Sequence, residues 1–150
     1  MTYWITTQEY HKLVLGLTNK ILFPDLKIEP YHNIDTGNAG RYLPTDKLIQ
    51  VSNKHAGKDL ILMHELGHYL LYEKFWLPPI IEGIHAEYLC DFFSYYYFSR
   101  DYKYSDITAS EYCIKVKNKY ENIYYTKLKR ETAQLFLIRE AIRIKKILLI

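Results

Sequence analysis

The sequence has few of the residues and segments that mark specialised classes of protein. Its 150 residues include two cysteines, Cys90 and Cys113, which excludes the disulfide framework of small secreted domains. Six glycines and five prolines are too few for a fibrous or low-complexity chain. The first residues have no basic and apolar regions of a signal peptide, and charged residues interrupt the apolar stretch at 135–150. We therefore expect a cytoplasmic protein with no membrane partner.

The composition is that of one ordinary globular domain spanning residues 1–150. Hydrophobic residues make up 49% and charged residues 25%, and no repeat or Gly/Ser linker divides the chain. The net charge of +3 is too small to indicate nucleic-acid binding. A group of basic residues in the C-terminal quarter of the chain keeps nucleic-acid binding open as an alternative, although basic helix faces usually contact only solvent. Its members are Lys127, Lys129, Arg130, Arg139, Arg143, Lys145 and Lys146.

Apolar spacing and turn residues predict an α+β fold with a small sheet of two or three antiparallel strands. Thr6 and Glu9 form a capping box ahead of a helix that ends before Pro24. The strands are expected at 26–29, 40–43 and 47–51, where short alternating segments lie between turn residues. Further helices are expected from 58 to about 75, at 80–99 after Pro78-Pro79, at 110–121, and from about 126 to the end.

A metal-binding motif occupies the middle of the helix predicted from residue 58. His64-Glu65-Leu66-Gly67-His68 has the H-E-x-x-H pattern. Residues i and i+4 share one helix face, so the two imidazoles can reach one ion. Glu65 follows the first histidine and can contact water beside the metal without binding the metal itself. The pattern predicts one Zn²⁺ held by His64 and His68, with Glu65 as a catalytic base.

A third protein ligand is expected from the next helix, because catalytic zinc sites use three ligands and leave a position for water. Glu87 and Asp91 are also four residues apart, so one carboxylate can bind the metal while the other orients a ligand histidine. Glu87 is the predicted ligand and Asp91 the orienting carboxylate. His85 replaces Glu87 if the helix begins later, and Cys90 lies near the site but is typical of a small core residue.

These residues resemble the ImmA/IrrE-type zinc metallopeptidases, which belong to the thermolysin-like gluzincins. Three segments between about residues 39 and 97 carry the resemblance. They are His64 to Leu71, Glu87 to Ser94, and Gly40-Arg41-Tyr42 together with Leu48 to Ser52. The family implies a minimal zincin fold, in which the sheet packs with an active-site helix, a second metal-ligand helix and C-terminal helices. It also implies the same roles for His64, Glu65, His68, Glu87 and Asp91.

The resemblance further implies a regulatory endopeptidase that cuts or inactivates a helix-turn-helix repressor of a mobile element or stress response, acting in trans. Related folds pair extended substrate with an edge strand, for which the candidates here are Leu48, Ile49, Gln50, Val51 and Ser52. A tyrosine or a histidine commonly stabilises the oxyanion, and Tyr42, Tyr88 and Tyr95 remain alternatives. The alternative function is that of an anti-repressor or anti-defence protein, which keeps the zincin fold but acts only by binding.

Overall fold

A computed structural model describes residues 6–31, 39–53, 57–75, 84–98 and 124–148. It confirms the α+β class, with helices around a three-stranded sheet. In chain order the elements are α1 (Thr7–Leu17), β1 (Lys27–Pro30), β2 (Gly40–Leu43), β3 (Leu48–Val51), α2 (Lys58–Tyr69) with a π-helical continuation (Leu70–Phe75), α3 (Ile84–Phe98) and α4 (Tyr124–Leu148). The helix predicted at 110–121 and the turn predicted at Pro78-Pro79 lie outside the described residues.

Helix α1 begins and packs as its sequence predicts. The Thr6 hydroxyl accepts a hydrogen bond from the Glu9 amide, and the Glu9 carboxylate accepts one from the Thr6 amide. This capping box satisfies two amides that the first helical turn leaves without partners. Tyr10, Leu13 and Leu17 then fall on one face and are buried in the core.

The sheet is mixed, which corrects the prediction of antiparallel strands. Its order is β1-β3-β2, and β3 pairs antiparallel with β2 but parallel with β1. Strands β2 and β3 form a hairpin, whereas α1 and the loop after it bring β1 in from the other side. Short strand patterns do not encode the direction of a neighbour, because the alternation of side chains is the same in both.

Helix α2 lies at the centre of the molecule and contacts both the sheet and α3, and α3 in turn packs against α4. Its side chains Leu62, Met63 and Leu66 are fully buried in the hydrophobic core. After Tyr69 the helix widens into a π-helical turn, a feature that is frequent at functional sites. The burial of α2 fixes the direction in which its polar side chains point.

Candidate metal centre

The structure brings the predicted ligands together between α2 and α3. His64 Nε2 lies 3.0 Å from Glu87 Oε2, and His68 Nε2 lies 2.8 Å from Glu87 Oε1. The Glu87 carboxylate therefore faces the same nitrogen of both imidazoles, and two nitrogens with a carboxylate form a donor set that suits Zn²⁺. Helical spacing in α2 and the burial of both helices produce this convergence.

Asp91 lies beside a ligand histidine, as its spacing of four residues from Glu87 predicts. His64 Nδ1 donates to Asp91 Oδ1 at 2.6 Å, since an ionised carboxylate can only accept. The bond places a proton on Nδ1 and directs Nε2 toward Glu87, which is the tautomer that a metal ligand needs.

The electrostatics of the cluster favour charged forms of these partners. Burial lowers the pKa of His64, but its hydrogen bonds to Asp91 and Glu87 outweigh burial and raise the pKa to about 10. Burial raises the pKa of Glu87, but hydrogen bonds from His64 and His68 outweigh it and hold the pKa well below its usual range. Both shifts have one cause, the attraction between the protonated His64 ring and the carboxylates that face it.

Glu65 points to the same region from one residue further along α2. Its side chain is buried, and burial raises its pKa above the usual glutamate range. A raised pKa makes a carboxylate a better proton acceptor near neutral pH. Glu65 also lines an open cleft of about 280 Å³ beside the cluster.

The cleft runs between three elements: β2, α2 and α3. Its lining includes Gly40 at the start of β2, and Ser94 and Tyr95 on α3. Ser94, for which the sequence predicts no role, donates to the Leu60 carbonyl at 2.7 Å and joins α3 to α2. Its signal was its spacing of seven residues from Glu87, which places both on one helix face.

The predicted substrate strand is wrong. Strand β3 lies between β1 and β2, so its backbone is already paired on both sides. Within the described ranges β2 is an edge strand, and β2 is also the strand that lines the cleft. The apolar pattern of residues 48–52 is the same for an edge strand and a central strand, so the sequence does not distinguish the two positions.

The tyrosines predicted as donors to the oxyanion differ in where they lie relative to the cleft. Tyr95 lines the cleft. Tyr42 instead stacks on Tyr69 with ring centroids 5.9 Å apart, and burial raises its pKa. The side chain of Tyr88 lies outside the described part of the chain.

Two residues compete with Glu87 as the third metal ligand, and the structure describes the side chain of one of them, Cys90. The side chain of His85 lies outside the described residues. Cys90 is buried, and ligand atoms of His64, His68 and Cys90 lie within 4.8 Å of one another. The Glu87 carboxylate directly faces both Nε2 atoms, whereas Cys90 Sγ packs against Gly67 at the contact between the helices.

Two basic residues of α4 contact neighbouring side chains in the described region. Arg143 bonds Glu140 at 2.9 Å and lies over the Phe23 ring. Lys145 lies over the Tyr97 ring. The side chains of 127–130 lie outside the described residues.

No helix among the described residues is long and apolar enough to span a bilayer. Comparison with protein-family models, with curated protein sequences and with solved structures finds no match to this chain.

Proposed function

We propose that this chain is a zinc-dependent endopeptidase whose ligands are His64, His68 and Glu87. The observation that carries the proposal is the Glu87 carboxylate, which lies within 3.0 Å of Nε2 in both histidines while Asp91 holds Nδ1 of His64. Three ligands leave one coordination position for water, which is the arrangement of catalytic zinc sites. A bound Zn²⁺ supplies a Lewis acid that acidifies water and polarises a carbonyl.

Glu65 supplies the proton transfers of peptide hydrolysis. It accepts a proton from the attacking water and delivers it to the leaving amine, and burial raises its pKa toward the range this role needs. Tyr95 is the candidate for a second donor to the oxyanion, because it lines the cleft beside Glu65 and Asp91.

Strand β2 is the proposed docking edge for an extended substrate. Ser52 N donates to Ala39 O at 2.7 Å, which fixes the alternation of bonded pairs between β2 and β3. The backbone groups of Arg41 and Leu43 therefore face β3, and those of Gly40 and Tyr42 face the opposite edge. Backbone pairing at this edge brings an unfolded protein segment to the cleft.

The proposed substrate is a helix-turn-helix repressor, as the resemblance to ImmA/IrrE-type peptidases implies. The alternative is a protein that acts by binding alone. The position of Cys90 is the observation that favours binding without catalysis. If Cys90 is a fourth zinc ligand, no coordination position remains for water, and zinc sites closed in this way are structural.

The Glu65→Gln variant tests the catalytic proposal. It keeps the ligands but cannot accept a proton, so we expect about one zinc per chain and cleavage reduced by ~100-fold or more. Zinc is measured by elemental analysis, and repressor length is followed on a gel. His64→Ala is the matched variant that loses both zinc and cleavage.

The catalytic proposal is contradicted if the wild-type protein leaves the repressor intact and Glu65→Gln derepresses as well as wild type. That result favours the alternative of a protein that acts by binding alone.

A further inference from the structure

Helix α4 carries an apolar stripe on the face that points away from the core. Its buried face consists of Ala133, Leu137, Ala141 and Ile144. On the opposite face Leu135 is 58% exposed and Ile142 is 48% exposed, and Ile138 between them is partly buried and packs against the edge of the core. Neighbouring apolar side chains exposed on one helix face mark a contact surface more often than isolated ones do.

Charged residues of opposite sign end this stripe. Glu131 lies one turn before Leu135, and Lys146 lies one turn after Ile142, both exposed. The seam consists of Glu131, Leu135, Ile138, Ile142 and Lys146. Their spacing of four, three, four and four residues keeps them on one face, as in the contact line of a helix pair.

The seam is complementary to itself when reversed. Glu131 and Lys146 are equally distant from a midpoint between Ile138 and Arg139, and so are Leu135 and Ile142. An antiparallel copy of α4 centred there sets Glu131 against the second copy's Lys146, and Leu135 against the second copy's Ile142. A parallel copy sets like charges against each other at both ends.

We propose that the α4 seam binds a second copy of this chain, as an antiparallel helix pair about a two-fold axis. A two-fold interface uses the same surface on both subunits, which is what a self-complementary seam provides. Two copies of Arg139 approach each other near the axis, and their like charges keep the association weak. The dimer is independent of the metal centre, which lies between α2 and α3.

Sedimentation equilibrium of the full chain with zinc, from micromolar to near-millimolar concentration, tests the pairing. We expect reversible dimers, and Leu135→Lys should weaken association by about tenfold or more because the leucine is lost from both halves of the interface. Leu15→Lys is the matched control, since Leu15 is 73% exposed on α1, outside the seam. Circular dichroism verifies that each variant is folded.

Charge reversal tests the antiparallel register. Glu131→Lys alone should weaken the dimer by about three- to tenfold, since it opposes two lysines at both ends of the seam. Adding Lys146→Glu should restore the wild-type affinity. A monomer at all concentrations, equal loss with Leu15→Lys, or a double variant that fails to recover overturns the proposal.

Discussion

At the scale of single residues, the direction of the His64 ring is set by Asp91. The 2.6 Å bond from His64 Nδ1 holds the ring against α3 and leaves Nε2 directed at Glu87. A ligand ring that is already oriented loses little conformational entropy when a metal binds.

Asp91→Ala should therefore weaken zinc affinity by about ten- to a hundredfold while the fold is retained. Competition with a chromogenic chelator measures the affinity. Asp46→Ala, a change at an exposed turn residue, is the control. Equal affinity in wild type and Asp91→Ala means that the hydrogen bond does not orient the ligand.

The choice between Glu87 and Cys90 can be made with cobalt, whose spectrum reports thiolate ligands. Glu87→Ala should weaken metal binding by about tenfold or more, because it removes the carboxylate between the two histidines. Cys90→Ser should leave the visible spectrum of the Co²⁺ protein unchanged. A strong near-ultraviolet thiolate band in wild type that disappears in Cys90→Ser identifies Cys90 as a ligand, and the site is then closed.

At the scale of elements, the metal centre depends on how closely α2 approaches α3. Gly67 lies at the contact, and a Cβ there falls 3.1 Å from both Cys90 Cα and Cys90 Sγ. Ser94 joins the same two helices through the Leu60 carbonyl. Gly67, the residue before the second histidine of the motif, thus has a packing role.

Gly67→Ala should separate the helices slightly and move Glu87 away from the histidines. The overpacking costs about 1–3 kcal/mol, and the gain in helix propensity returns up to about 1 kcal/mol, so stability falls modestly. Zinc affinity should fall as well. Gly16→Ala is the control, because the atoms that its Cβ meets belong to the end of the flexible Leu148 side chain, far from the metal site.

Chemical denaturation and zinc titration separate the two effects. If Gly67→Ala loses stability but binds zinc as tightly as wild type, the helix contact does not control the metal geometry.

At the scale of the whole molecule, protonation, metal binding and folding are linked through His64. Without metal its pKa rises from the ordinary 6.5 to about 10 in the fold. The stabilisation from its protonated form is complete below about pH 6.5 and is lost as pH rises through about 10. Zinc needs the neutral ring, so metal and proton compete for His64 Nε2.

The zinc-induced rise in melting temperature should therefore grow between about pH 6 and 8.5, because fewer protons oppose the metal. Thermal unfolding with zinc and with chelator, over this range, measures the difference. Asp91→Ala should show a weaker pH dependence, since the partner that retains the proton is gone. A zinc effect that does not change with pH contradicts the linkage.

Local sequence patterns specify where the first helix begins and which metal-site residues share a helix face. The capping box of Thr6 and Glu9 specifies the start of α1, and the i, i+4 spacing specifies that His64 and His68 share a face. The same spacing places Glu87 and Asp91 on one face of the next helix. These features depend on contacts within one helical turn, which the sequence encodes directly.

How the elements meet depends on tertiary packing. It made β1 parallel to β3, placed β3 at the centre of the sheet, and directed β2 toward the cleft. It also brought Ser94 onto the Leu60 carbonyl and placed Tyr95, not Tyr42, beside Glu65. Each of these depends on residues distant in sequence, and strand order or helix contact changes no local pattern of apolar residues. The apolar pattern of β3 suits a central or an edge strand, so the position of β3 in the sheet depends on the packing of the whole chain.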